Sequence, residues 1–150
     1  MDHLYIDTGR VSKQKKPDNV VVEKRFSQLY TGLFKLFARI PTPCAKNLFI
    51  WAIENSDKWN MITLNKAGRA AFIADHLMAS SEKYADITVK LAVKALTEEG
   101  IMVSMSEEGK RGANYMINPY YVWKTKSKTD RYEAIKAYIN ILKDNERNRI

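Results

Sequence analysis

Apolar residues recur with helical spacing between Asp86 and Gly100. Four of them lie at positions i, i+3, i+4 and i+7 of that span, namely Val89, Ala92, Val93 and Leu96. Such spacing places apolar side chains along one face of a helix. Asp86 is a residue that can cap a helix start, and Gly100 can adopt the left-handed conformation that ends one. The pattern therefore predicts a helix over 86–99 that buries one face.

Four further segments repeat apolar residues with a period near 3.6. The predicted helices run from Phe26 to Pro41, from Thr42 to Asn55, from Lys66 to Leu77, and over residues 129–143. Proline at the first position favours a helix starting after Thr42, and Asn65 can cap the helix that begins at Lys66. In the helix that begins at Lys66 we predict an inner face formed by Ala70, Ile73, Ala74 and Leu77. Arg69 lies outside that face.

Extended segments surround a turn in the region that follows Gly100. Residues 101–105 and 114–118 are β-prone, and the residues between them include the turn-forming run Gly109-Lys-Arg-Gly112. Pro119 ends the second segment, because proline has no amide hydrogen to give to a sheet. We predict a β-hairpin with a basic tip. The β-prone run Met61–Leu64 is a candidate third strand beside it.

The connection between the helices at 66–77 and 86–99 is longer than the three or four residues typical of a helix-turn-helix. Two interpretations of residues 79–85 stay open. Either they form a loop before Asp86, or the second helix already begins at Ser81 with Tyr84 and Ile87 inside. The loop is favoured because Asp86 then caps the helix and Val89 falls on the apolar stripe.

The order helix, strand, helix, helix, hairpin is that of a winged helix-turn-helix, a mainly α fold with a small β-hairpin in the α+β class. Extra helices precede and follow it here. We predict a flexible basic arm over residues 1–19, because Lys13, Lys15 and Lys16 lie there with little apolar periodicity. Residues 20–150 are expected to form a single domain that includes the last helix.

Polar and basic residues on the outer side of the helix pair and on the hairpin tip are candidates to contact DNA phosphates and base edges. Ile87 and Leu91 also point away from the predicted stripe. Two interpretations stay open for them: contact with thymine methyl groups, or packing against another element of the same chain or a second subunit. The candidate DNA-binding residues are Arg69, Ser80, Ser81, Lys83, Thr88, Lys90, Lys94, Lys110, Arg111, Lys124 and Lys126.

The charge distribution favours a polyanionic partner, of which nucleic acid is the commonest for a basic domain. The chain has a formal net charge of +8 and an isoelectric point near 9.5. Residues 110–150 contain ten Lys or Arg and four Asp or Glu, so +6 of the +8 follows the predicted hairpin tip. Concentration of positive charge beside the predicted reading elements is typical of nucleic-acid binding.

Enzymatic functions are disfavoured by the residues available. His3 and His76 are the only histidines and lack metal-ligand spacing, and Cys44 is the only cysteine. The sequence has no nucleotide-binding glycine loop and no nucleophile elbow. We therefore predict no catalytic site, no metal and no cofactor. Because no apolar run approaches 18 residues and the start lacks a signal-peptide pattern, we expect a cytoplasmic protein without a membrane partner.

The arrangement resembles the RepL-type plasmid replication and maintenance proteins. The similarity lies in the helix pair, the joint Leu96-Thr-Glu-Glu-Gly-Ile101, the segment Gly112-Ala-Asn-Tyr-Met-Ile-Asn-Pro119, and the later Trp123-Lys124 and Arg131. It spans roughly residues 26–131. In that family a Gly-x-Tyr-x-Ile/Val-Asn-Pro segment closes the winged-helix domain. The resemblance implies binding to plasmid origin or operator DNA, without a catalytic site.

Two roles are compatible with such a protein. An initiator binds repeats at a plasmid origin and recruits host replication proteins, whereas a transcriptional repressor uses the same fold at a promoter. The resemblance favours the initiator. The stripe formed by Tyr132, Ile135, Ile139 and Leu142 in the last predicted helix is compatible with packing on the domain or with the seam of a homodimer.

Overall fold

Five helices and five short strands make up the part of the chain that the computed structural model describes, residues 27–105 and 113–148. Helices predominate and the strands are antiparallel, which confirms the α+β class. In chain order the elements are β1 (Gln28–Leu29), α1 (Leu33–Ala38), α2 (Pro43–Asn55), β2 (Met61–Thr63), α3 (Lys66–Ser80), α4 (Asp86–Glu98), β3 (Met102–Ser104), β4 (Asn114–Ile117), β5 (Val122–Trp123) and α5 (Lys128–Asn148).

The predicted hairpin and third strand form one sheet in the order β2-β4-β3. In this register Met116 of the central strand β4 lies opposite Met61 of β2 on one side and opposite Val103 of β3 on the other. Alternate side chains of a strand point to opposite faces. Met102 and Ile117 accordingly join the core formed with α2, α3 and α4, whereas Val103 and Met116 pack on the other side with α5.

A second, two-stranded sheet pairs β1 with β5 and is tied to the first sheet by a buried side chain. Asn60 is fully buried, and its Nδ2 donates hydrogen bonds to the carbonyl oxygens of Ile117 at 3.1 Å and Val122 at 2.7 Å. Its φ of 64° lies in the left-handed region, which asparagine tolerates better than most residues. One residue just before β2 thus fixes the end of β4 and β5.

Local capping explains where α2 and α3 begin. Thr42 Oγ1 accepts a hydrogen bond from the Ala45 amide at 3.2 Å, and Asn65 Oδ1 accepts one from the Gly68 amide at 2.8 Å. Each such cap stabilises a helix by about 1 kcal/mol. Both starts agree with the prediction. A Cβ at Gly68 would lie 2.2 Å from the Thr63 carbonyl oxygen, so the close approach of α3 to β2 requires glycine there.

The helix predicted from Phe26 to Pro41 is wrong over its first part. Gln28 and Leu29 are in strand β1, and only Leu33–Ala38 is helical. Gly32 has a φ of 98°, a conformation that interrupts a right-handed helix. The Tyr30 amide donates to the Tyr121 carbonyl at 2.9 Å, so pairing with a distant segment competes with the helix here.

The inner face predicted for α3 is wrong at three of its four positions, and Ile73 packs against the core as predicted. Ala70, Ala74 and Leu77 are exposed, and the buried residue is Phe72. Its ring contacts the ring of Trp51 from α2 edge to face, with the centroids 5.6 Å apart. The helix is therefore rotated from the prediction, and Arg69 is turned toward the protein.

Helix α5 is longer than the predicted 129–143, and it packs through Ala134 and Tyr138. Tyr138 donates a hydrogen bond from its hydroxyl to the Gly100 carbonyl at 2.9 Å, which ties α5 to the end of α4. Most of the predicted stripe stays outside this contact: Tyr132, Ile139 and Leu142 are exposed. The predicted arm at 1–19 and the hairpin tip at 106–112 lie outside the described residues.

Candidate nucleic-acid interface

Helix α4 has one buried and one exposed face, as the sequence predicts. Val89, Ala92, Val93 and Leu96 are buried against α2, α3 and the sheet, which confirms the predicted stripe. On the opposite side Thr88, Lys90 and Lys94 are exposed, and so are Ile87 and Leu91. The predicted contact residues of this helix therefore share one solvent-facing surface, which we call the outer face of α4.

An ion pair fixes the start of α4 against α3. Arg69 Nε and Nη2 donate hydrogen bonds to the Asp86 carboxylate at 2.9 and 3.3 Å, and Arg69 Nη1 donates to the Leu64 carbonyl at 3.0 Å. The Arg69 side chain is only 14% exposed. Arg69 thus holds α4 in place, and most of its surface is covered by protein.

Asp86 does not cap α4 in the predicted way. Ala85 occupies the cap position, and Asp86 is the first helical residue. Hydrogen bonding from Arg69 lowers the pKa of the Asp86 carboxyl, with Lys90 adding a smaller effect. A negative charge in the first turn also interacts favourably with the helix dipole. The Asp86 side chain is 42% exposed and pairs both with Arg69 and, at 3.9 Å, with the Lys90 ammonium group on the outer face.

The connection between α3 and α4 is a loop, as favoured from the sequence, and it spans Ser81–Ala85. Ser81 ends α3 in the left-handed region with a φ of 64°. The imidazole of His76 lies 3.0 Å from a Glu82 carboxylate oxygen and stacks on the Tyr84 ring with the centroids 4.6 Å apart. Asn47 from α2 donates to the Tyr84 hydroxyl at 3.0 Å. These contacts hold the long loop in one conformation.

Three predicted contact residues, Ser80, Ser81 and Lys83, lie at the end of α3 and in that loop, and all three are exposed. Ser80 Oγ donates to the His76 carbonyl at 2.9 Å and accepts from the Glu82 amide at 3.2 Å. Ser81 forms the left-handed end of α3. Lys83 is exposed beside the start of α4. Lys83 is the one of these three that carries a positive charge.

A cleft of about 390 Å³ adjoins the outer face of α4. Its walls are formed by α4, by the start of α3 and by β4. The lining residues are Leu64, Arg69, Lys90, Val93, Lys94, Thr97 and Tyr115. Besides Arg69, which pairs with Asp86, two lysines and two hydroxyl side chains line this cleft, and an anion is the ligand that the two ammonium groups favour. Burial raises the pKa of the Tyr115 hydroxyl, which therefore stays protonated and able to donate.

Sequence reasoning missed Tyr115 and Thr97 as members of this cleft. Strand alternation gave a signal for Tyr115, since it lies on the same face of β4 as the buried Ile117. The register Thr63 with Asn114, and the hydrogen bond from the Leu64 amide to the Ala113 carbonyl at 2.7 Å, bring this end of β4 to the start of α3. This contact is made by the tertiary fold, so no local sequence pattern indicates it.

Four predicted contact residues remain: two lie in the segment after β5, and two lie outside the described residues. Lys124 and Lys126 lie between β5 and α5, beside the two-stranded sheet, with Lys124 half-buried and Lys126 exposed. Lys110 and Arg111 lie outside the described residues. The described part of the site therefore consists of the outer face of α4, the cleft and Lys83.

Residues 27–105 and 113–148 contain no group of three or more His, Cys, Asp or Glu side chains placed to hold a metal ion. Burial raises the pKa of the Cys44 thiol to about 11, which keeps it protonated in the core. Across the same residues, no helix has both the length and the apolarity needed to cross a bilayer.

Comparison with models of protein families, with curated proteins and with solved structures found no match for this chain. The resemblance to the RepL-type proteins consequently stays a prediction from the residues quoted above.

Proposed function

We propose that this chain is a winged-helix protein that binds double-stranded DNA sequence-specifically, with α4 as the helix that enters the major groove. The observation that carries the proposal is the outer face of α4, where Thr88, Lys90 and Lys94 are exposed together while the opposite face is buried. The order α2-β2-α3-α4-β3-β4 and the strand order β2-β4-β3 support the winged-helix assignment.

The cleft beside α4 supports a model in which some residues contact the phosphates and others contact the bases. Phosphate contacts position a protein on the duplex, and side chains that reach base edges supply sequence preference. In this proposal Lys90 and Lys94 face phosphates at the cleft, with Tyr115 as a further donor. Arg69 keeps α4 at a fixed angle through Asp86. Thr88 lies on the first turn of α4, from which a recognition helix contacts bases.

Binding is expected to depend strongly on salt. Three or more phosphate contacts release counterions, so affinity should fall at least about tenfold between about 50 and 200 mM salt. Fluorescence anisotropy of a labelled duplex at several salt concentrations measures this. Replacing Lys90 and Lys94 by alanine should reduce the slope by about one for each lysine. A flat salt response of the wild-type protein would contradict phosphate contact.

Two biological roles fit this mode of binding. We propose a replication initiator at a plasmid origin, supported by the resemblance noted above, and keep a transcriptional repressor as the second candidate. Footprinting on the DNA that surrounds the gene distinguishes them. Protection of repeated sites within an origin, with recruitment of host replication proteins, supports the initiator. Protection limited to a promoter supports the repressor.

We further propose that the protein forms a homodimer through α5. Tyr132, Ile139 and Leu142 are exposed on that helix and Ile135 is partly exposed, so one side of α5 offers an apolar seam that its packing on the sheet leaves uncovered. A symmetric pair would contact two half-sites and roughly double the DNA read. Light scattering should give twice the 17.3 kDa of one chain. A single-chain mass both free and on DNA would contradict the seam.

A further inference from the structure

Two large apolar side chains lie on the outer face of α4 with most of their surface exposed. Ile87 is 61% and Leu91 is 60% exposed. They are four residues apart, so they are neighbours on one side of the helix. Val89 and Leu96 are on the opposite side and fully buried. Ile87 and Leu91 therefore add nothing to the described core and form an exposed apolar pair on the outer face of α4.

Charge around these two residues identifies the kind of partner. Lys90 and Lys94 follow Ile87 and Leu91 by three positions each, and all four side chains are exposed. Asp86, the acidic residue of the first turn, pairs with Arg69 and, at 3.9 Å, with Lys90. An apolar pair bordered by two lysines is complementary to a surface with both methyl groups and phosphates. The major groove of DNA is such a surface, because each thymine presents its 5-methyl group there.

The chemistry of the outer face also restricts which bases it reads. Between Ile87 and Lys94 this surface lacks asparagine or glutamine, the side chains that pair best with adenine, and it lacks a carboxylate for cytosine. Apolar contact with thymine methyl groups is what isoleucine and leucine offer. A helix rises about 1.5 Å per residue, so the two side chains are about 6 Å apart along the axis, close to two base-pair steps of about 3.4 Å.

We infer that Ile87 and Leu91 contact the 5-methyl groups of two thymines that lie within about three base pairs of each other in the recognised site. The inference rests on the proposed function and specifies its substrate class as thymine-containing duplex DNA. It makes these two residues specificity determinants, whereas Lys90 and Lys94 supply affinity for the phosphates.

Uracil-substituted DNA tests this inference, because uracil differs from thymine only in lacking the 5-methyl group. Duplexes that bind the full chain are first selected from a random-sequence pool and then synthesised with thymine or with uracil. Loss of a methyl contact typically lowers affinity about tenfold. Since two such contacts are lost, we expect the wild-type protein to bind the uracil duplex about 100-fold more weakly, and the variant Ile87→Ala/Leu91→Ala to bind both duplexes equally.

The matched control is Ile50→Ala, which removes an exposed isoleucine from α2. It should keep the full preference for thymine. Equal binding of the two duplexes by the wild-type protein, with salt-dependent binding retained, overturns the inference and leaves the proposed function standing. The inference is also overturned if the double variant keeps the preference for thymine. It is likewise overturned if light scattering shows that the double variant has lost a dimer while its DNA binding is unchanged, because the two side chains then contact a second copy of the chain. Failure to bind any duplex overturns the proposed function itself.

Discussion

Reversing the charge of Lys90 and Lys94 together is expected to lower affinity for duplex DNA by at least about 100-fold, because each change removes an attraction to phosphate and adds a repulsion. Both side chains lie on the outer face of α4 and line the cleft that contains Arg69 and Tyr115. Their exposure means that the substitutions leave the core intact, which circular dichroism can verify. Anisotropy titration of the Lys90→Glu/Lys94→Glu variant with the duplex used for the wild-type protein gives the loss.

The control for this prediction changes the same net charge elsewhere. Each lysine-to-glutamate change removes two units, so two changes lower the formal charge from +8 to +4. Lys35 in α1 and Lys58 in the turn before β2 are exposed and lie outside the proposed interface. Lys35→Glu/Lys58→Glu should lower affinity far less. Equal losses in the two double variants would mean that total charge, and not the outer face of α4, determines binding.

Replacing Phe72 by alanine is expected to lower the free energy of unfolding by about 3–5 kcal/mol, the usual cost of emptying the space of a buried phenylalanine. Phe72 is 1% exposed and is the buried residue through which α3 joins the core. Its ring contacts Trp51 of α2 and Tyr84 of the loop, with centroids 5.6 and 6.0 Å away. The cavity would therefore weaken the packing that places α3 and α4 relative to each other.

A second phenylalanine provides the comparison for this stability prediction. Phe34 in α1 is 86% exposed, and its replacement by alanine should change the free energy of unfolding by less than about 0.5 kcal/mol. Urea denaturation followed by tryptophan fluorescence measures both variants. Similar small effects at the two positions would show that Phe72 is not part of a packed core, and the orientation given for α3 would be wrong.

Features set by local interactions were predictable from the sequence. The start of α2 at Thr42 and that of α3 at Asn65 were predictable because a cap and its partner lie three residues apart. The outer face of α4 was predictable because its apolar residues fill one stripe and its lysines lie on the other side. Here local pattern and tertiary packing agree.

The errors arise where two faces of a helix both carry apolar residues. In α3 the predicted face consisted of Ala70, Ile73, Ala74 and Leu77. The structure instead centres the packing on Phe72, whose ring contacts Trp51 and Tyr84, and keeps Ile73 beside it. The resulting rotation of the helix brings Arg69 under cover, where Asp86 satisfies its charge. In α5, Tyr138 and Ala134 pack on the sheet, whereas the more regular stripe beginning at Tyr132 faces outward.

The cleft beside α4 was only partly accessible from sequence. Lys90 and Lys94 follow from helical periodicity, but Tyr115 joins them through the pairing of β4 with β2. The first predicted helix failed for a related reason, because the segment before Gly32 pairs with β5, more than 90 residues later in the chain. Such long-range contacts leave no periodic signal.

The placement of α4 against the duplex can be measured directly by photo-cross-linking. A benzophenone side chain is introduced at Leu91 on the outer face of α4 and, in a separate protein, at Phe34 in α1, which is also exposed. Each protein is irradiated with a labelled duplex at low salt. We predict a covalent protein–DNA product from position 91 and none from position 34. Cross-linking from position 34 without cross-linking from position 91 would contradict the proposal that α4 enters the major groove.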